Sequence, residues 1–227
     1  MSLTITPIAH ISSEFPQKFG IPRQPNLANH LLARIIFEPE FRNPDFIRGI
    51  ETVSHIWLIW EFSEFTDKKY TALVRPPRLG GNKKMGVFAT RSPQRPNSLA
   101  MSAVKIVTIK EDPKLGPVIY VSGADLLDGT PIYDIKPYIS YTDCITEATT
   151  TLFTKPEQLD FVEFCCNLPL RENDRKLLAL KEILLQDPRP AYKKNSTEKY
   201  AFEYSGMHIE FFVENNVVKV LEIKLLK

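Results

Sequence analysis

Proline, glycine, asparagine and aspartate break the first two-thirds of this sequence into short runs: "LTITPIAHI", "HLLARIIFEP", "HIWLIWEF", "KKMGVFAT", "LAMSAVKIVTI" and "GPVIYVSGADLL". Each is rich in Ile, Val, Phe or Trp, residue types that suit a pleated, half-buried surface. Few helical stretches lie between them, and a parallel doubly wound sheet needs a helix in each crossover. Such a chain favours a mainly β fold, a barrel or a sandwich. One short helix is expected where Asn43 can cap, Pro44 suits the first turn, and Phe46, Ile47 and Ile50 make an apolar face. Hydrophobic residues make up 43% of the 227 and charged residues 25%, which supplies a core and excludes a disordered composition.

The pattern changes near residue 150. "TKPEQLDFVEFCCNL" sets Thr154 and Glu157 at capping-box spacing with Pro156 in the first turn, and Leu159, Val162 (or Phe161), Cys165 and Leu168 recur at helical intervals. That predicts a helix. "ENDRKLLALKEILLQD" predicts a second, with Leu177, Leu180, Ile183 and Leu184 on one side, stopped by Pro188 and Pro190. "KYAFEYSG" and "MHIEFFVENNVVKVLEIKLL" return to strands, with Asn215 and Asn216 at a hairpin tip. The expectation is a β-rich domain over residues 1–148 and a smaller α+β domain over 149–227.

Several function classes lack their signatures. GxGxxG, the P-loop ending GK[ST] and GxSxG are all missing, which argues against a Rossmann site, a phosphate cradle and a nucleophile elbow. The four histidines have no metal spacing and the three cysteines form no CxxC, so no metal site is expected and a reducing cytoplasm fits best. No signal peptide or membrane-length apolar run is visible. A net charge of +2 means that any basic surface must come from local clustering.

What remains are polar clusters at the ends of the strand-like runs. "RSPQRPNSLAMSAVKI" places Arg91 and Arg95 among Pro93 and Pro96, which fix φ and hold the loop in one shape before a ligand arrives. The arginines offer planar donor forks, and Asn97 and Ser98 add directional hydrogen bonds. "FGIPRQP" holds Arg23 and Gln24 between prolines, His55 opens "HIWLIWEF", and "GADLLDGTPIYDIKPYI" carries Asp125, Asp128, Asp134 and Lys136. Taken singly, these residues read as solvated turns, a capping histidine and a turn dipeptide. Together, donor forks facing a carboxylate turn suit S-adenosylmethionine.

"GVFATRSPQRPNSLAMSAVKI" and "DLLDGTPIYDIKPYI" resemble the two signature segments of the TsaA-like family, and "LQDPRPAY" resembles the hallmark of its bacterial C-terminal extension. "SLAMS" after RPN is a conservative departure from the family pattern. The resemblance implies a small, non-Rossmann β-barrel that binds S-adenosylmethionine, and a homodimer whose subunits complete each other's sites. It implies methylation of N6 of threonylcarbamoyladenosine at tRNA position 37, next to the anticodon. Carried over by position, the cofactor contacts fall at Pro22, Arg23, Gln24, His55, Ile56, Arg91, Met101, Asp125, Leu126, Leu127 and Asp128. Candidate bases for the N6 proton are Asp125, Asp128 and Asp134, with Tyr133 weaker. Candidate tRNA contacts are Arg78, Lys83, Lys84, Arg95, Lys136, Arg189, Tyr192 and Lys193, with Arg75 and Lys194 beside them. The alternative is a non-catalytic RNA- or nucleotide-binding barrel, or a small-molecule methyltransferase.

Overall fold

The computed structural model describes residues 4–65, 69–76, 83–151, 153, 157–190 and 198–226. Six strands close into an antiparallel barrel: β1 (Ala9–Ser12), β2 (Leu32–Phe37), β3 (His55–Glu61), β6 (Leu99–Asp112), β7 (Gly116–Ser122) and β8 (Pro131–Pro137), in the ring order β1-β2-β7-β6-β3-β8. Between β3 and β6, β4 (Leu73–Val74) and β5 (Met85–Gly86) make a separate two-stranded ribbon.

Period-two patterning builds the barrel core. In β3, Ile56, Leu58 and Trp60 point inward at 0%, 0% and 6% exposure, while His55, Trp57 and Ile59 face outward. They pack with Ile11, Ile35, Val104, Ile119, Val121, Leu126 and Ile132. The expected short helix is a 3₁₀ turn, Pro44–Ile47, in which the Asn43 side chain accepts from the Asp45 amide.

The second unit is a four-stranded sheet, β10 (Tyr200–Tyr204), β11 (Met207–Glu214), β12 (Val217–Leu225) and β9 (Phe161–Phe164), covered by helix α2 (Arg175–Leu185). A short helix α1 (Ser140–Asp143) follows the barrel. Asp174 caps α2 by accepting from the Lys176 amide, and Leu177, Leu180, Ile183 and Leu184 face the sheet as expected. Asn215 and Asn216, with φ of 49° and 64°, form the β11–β12 hairpin tip. The helix expected over "TKPEQLDFVEFCCNL" is not formed. Phe161–Phe164 is instead a strand parallel to β12, with Val162 paired to Val218, and the chain turns irregular at Cys166. Thr154 and Pro156 lie outside the described residues.

The connection between β1 and β2 belongs to both units. Phe15, Ala28 and Leu31 are buried in the second core, and Phe19 and Ile21 pack against it. Glu14 accepts two bonds from the Arg175 guanidinium, at 2.7 and 3.1 Å, and one each from the Tyr204 and Ser205 hydroxyls. Gly20, at φ 99°, fits where a Cβ would lie 2.5 Å from the Phe202 ring.

Candidate active site

A cleft of about 810 Å³ opens at the end of the barrel where β3 finishes and β6 begins. Three connections meet there. The first is the β1–β2 connection with Pro22, Arg23 and Gln24. The second is the segment before β6 with Arg91, Pro93, Arg95 and Asn97. The third is the β7–β8 connection with Asp125, Leu127 and Thr130.

The loop before β6 is held by its own bonds. Thr90 donates to Val87 O at 2.9 Å and accepts from the Ser92 amide at 3.2 Å, and Arg95 Nη1 donates to Thr90 O at 3.3 Å. Arg91 Nη1 donates to Gln24 Oε1, tying this loop to the first connection. Arg23 Nη2 donates to the Arg189 carbonyl at 2.7 Å, so the second unit also helps to fix a cleft residue. Asn26 fastens the third connection. Its amide donates to Gly123 O at 2.9 Å and its side chain donates to Ala103 O at 3.0 Å. Gly123, at φ 79°, leaves the space that Asn26 fills.

Asp125 sits in the wall of this cleft. Its carboxyl is buried although the residue is partly open to the cleft mouth, and burial pushes its pKa up to about 6. The Ser102 hydroxyl, its own amide and the nearby Arg91 charge partly oppose that rise. Trp60, Phe62 and Phe65 provide apolar faces, with Trp60 and Phe62 edge-to-face at 4.6 Å. Lys18 pairs with Glu64 and lies 4.3 Å from the Phe65 ring centroid. Sequence reasoning missed Trp60 and the Phe62–Phe65 stretch. For the latter, the aromatic and acidic run "EFSEF" at the end of a strand was the available signal.

The cleft thus gathers Pro22, Arg23, Gln24, Arg91, Met101, Asp125 and Leu127 among the candidate cofactor contacts. It does not gather the others. His55 and Ile56 occupy the opposite end of β3, roughly 20 Å along a seven-residue strand from Glu61. Ile56 and Leu126 are fully buried in the barrel core. Asp128 is exposed and accepts from the Ser13 amide at 2.8 Å, which makes it a clasp between two connections. Asp134 borders a second cavity of about 500 Å³ at the far end of the barrel and pairs with Lys136 at 2.9 Å. Tyr133 donates to Glu61 at 2.6 Å, and burial followed by that carboxylate raises its pKa to about 12.

The candidate RNA contacts divide as well. Lys83 and Lys84 are exposed just before β5, Lys136 is 63% exposed in its side chain, and Arg95 lines the cleft. Arg189 is withdrawn from any RNA surface: it is 3% exposed and its guanidinium is paired with buried Asp187 at 2.8 Å. Arg78, Tyr192, Lys193 and Lys194 lie outside the described residues.

A closed antiparallel barrel with a carboxylate in its end cleft and arginines beside it defines a non-Rossmann ligand-binding barrel. Residues 10–144 match the model of the tRNA-methyltransferase O N-terminal domain, and residues 163–226 match the TrmO C-terminal domain. The chain therefore belongs to the tRNA-methyltransferase O family. It is 39% identical to RcsF of Pseudomonas aeruginosa, named as a candidate S-adenosylmethionine-dependent methyltransferase, over 98% of both chains. It is 36% identical to the tRNA (adenine(37)-N6)-methyltransferase of Escherichia coli over 82% of each. The crystal structure of TrmO from P. aeruginosa superposes with a TM-score of 0.77 at 30% identity, covering 99% of this chain and 98% of that one.

Proposed function

We propose that this protein transfers a methyl group from S-adenosylmethionine to N6 of adenosine 37 in tRNA, beside the anticodon, with threonylcarbamoyladenosine as the acceptor. The observation that carries this reading is the convergence of three separate connections on one cleft that holds a buried carboxylate, donor forks and aromatic faces. Family membership and the names of the relatives supply the reaction class.

The residues present fit such a cofactor. Trp60, Phe62, Phe65, Ile21 and Ile59 offer apolar surface for a purine and a thioether, while Gln24, Arg23 and Arg91 offer donors to a carboxylate. When bound, S-adenosylmethionine supplies a methyl carbon made electrophilic by a sulfonium that leaves as a neutral thioether. In this reading Asp125 takes the N6 proton, which the carbamoyl group makes more acidic. The apolar walls exclude water as charge disperses in the transition state. Exposed Lys83 and Lys84, together with Arg95, supply cations for the phosphates of the anticodon loop. A two-fold dimer, a cytoplasmic setting and a division into units at 1–148 and 149–227 complete the proposal. No described helix is long and apolar enough to cross a membrane.

The deciding experiment incubates the protein with labelled S-adenosylmethionine and tRNA with or without the threonylcarbamoyl group. Label should enter N6 of the modified adenosine. Equal labelling of both tRNAs overturns the acceptor assignment, and tRNA binding with no transfer supports a non-catalytic barrel.

A further inference from the structure

Behind the cleft lies a hydrogen-bond chain that has one direction when Asp125 is ionised. Trp60 Nε1–H donates to Ser102 Oγ at 3.0 Å, and the Ser102 hydroxyl donates to Asp125 Oδ1 at 2.6 Å. An indole nitrogen can only donate, and a serine hydroxyl has one hydrogen. If Ser102 aimed that hydrogen at Trp60, two hydrogens would meet. The indole therefore occupies a lone pair of Ser102 and sends its single hydrogen to Asp125. A separation of 2.6 Å suits a hydroxyl bound to an ionised carboxylate.

The barrel itself does not need this arrangement. Ser102 is 1% exposed on β6, and its inward neighbour two residues on is Val104 at 0%. A buried hydroxyl there costs more than a small apolar side chain would unless its bonds are used. Its bonds end at the one aspartate in the cleft wall.

We propose that Trp60 and Ser102 are positioning residues that hold Asp125 as a proton acceptor for the adenine N6. This rests on the methyl-transfer reading. As the N6 lone pair forms its bond to the methyl carbon, the carbon–sulfur bond breaks with its electron pair passing to sulfur. The N6 proton passes to the Asp125 carboxylate, which later returns it to water. The charged groups that share the cleft with Asp125 are Arg91 and Arg95 from the loop before β6, Lys18 and Arg23 from the β1–β2 connection, and Glu64 after β3. Glu64 is paired with Lys18, so the balance at the carboxylate is burial against Ser102, its own amide and Arg91.

The test titrates Asp125 directly, in protein free of cofactor and tRNA. Carbon-13 NMR of aspartate-labelled protein follows its carboxyl, with the resonance assigned by its loss in D125N. The wild-type midpoint should lie near 6. S102A should move it up by about one pH unit. S102C keeps most of the volume but donates weakly and should do nearly the same, so a misfolded alanine variant does not decide the matter. W60F should shift it in the same direction by less. In turnover, the acidic limb of kcat against pH should move with these midpoints, while cofactor affinity of the two Ser102 variants, measured by calorimetry, stays within twofold. Unmoved midpoints in both Ser102 variants overturn the proposal. So does a kcat that falls evenly at every pH with its limb in place. A wild-type protein that titrates as described but transfers no methyl group overturns the methyl-transfer reading instead, and with it the part of Asp125 in the reaction.

Discussion

Asp125 carries a cost that its place in the cleft explains. With a folded pKa near 6 and an ordinary value of 3.8, the folded state binds the proton more tightly than the unfolded chain. The resulting penalty is absent below about pH 4, grows as pH rises through 6 and is complete above that. D125N should therefore be more stable than the wild type at pH 7 to 8, by on the order of 1–2 kcal/mol, with the difference vanishing near pH 4. Thermal denaturation at several pH values measures this, and a variant that is inactive yet more stable is the expected signature of a functional carboxyl. Arg91→Ala should weaken S-adenosylmethionine binding by about tenfold, from the loss of one charge-assisted contact and the Gln24 tie. Calorimetry checks it, and undiminished binding would remove Arg91 from the site. The proline-fixed arginines and Asp125 could be found in the sequence because loops announce themselves by composition. Ser102 and Trp60 could not, since an inward residue of an alternating strand reads as core until its partner across the sheet is known.

Among elements, the legible ones carry their own signal. Helix α2 has a cap, a sustained apolar face and a proline stop, so tertiary context had nothing to overrule. The sequence around strand β9 predicts a helix because Leu159, Val162, Cys165 and Leu168 recur every three residues. The parallel pairing of Phe161–Phe164 with Val217–Val220 decides the matter, and a pairing across more than fifty residues leaves no local trace. Arg189, expected as an RNA contact, is instead half of a buried brace with Asp187. Asp187 and Arg189 have side-chain exposures of 6% and 4%, and the Arg189 carbonyl accepts from Arg23. Truncating Asp187 to alanine leaves a buried guanidinium short of a partner, a loss of about 3 kcal/mol in chemical denaturation. Cofactor affinity should fall with it, because Arg23 loses its anchor. A D187A protein that binds the cofactor normally would show that the brace is structural only.

At the scale of the molecule, the two units are interleaved rather than strung together. Glu14 precedes the cleft residues in the chain but takes its bonds from Arg175, Tyr204 and Ser205. Burial and the Glu14 charge push the Tyr204 hydroxyl far up, so it remains a donor at any working pH. Replacing Glu14 with alanine strands the Arg175 and Tyr204 donors and should cost roughly 2–3 kcal/mol. Denaturant melts followed by tryptophan fluorescence, which reports Trp57 and Trp60 in the barrel, should show the loss even though the change is made against the second unit. None of this is visible in the sequence, where the stretch between the first two strand-like runs shows one proline-flanked motif, Arg23 and Gln24.

That borrowed segment fixes how the protein comes apart. Phe15 and Leu31 are buried among α2, β10 and β11, while the backbone of residue 15 also holds the Asp128 turn. The amides of this connection should exchange with deuterium at the pace of the second sheet's centre, not at the pace of an exposed loop. A gene cut after residue 148 would then yield a barrel with a greasy, unfilled strap across its working end, prone to associate with itself. The two halves, supplied as separate chains, should recover a soluble particle only when mixed.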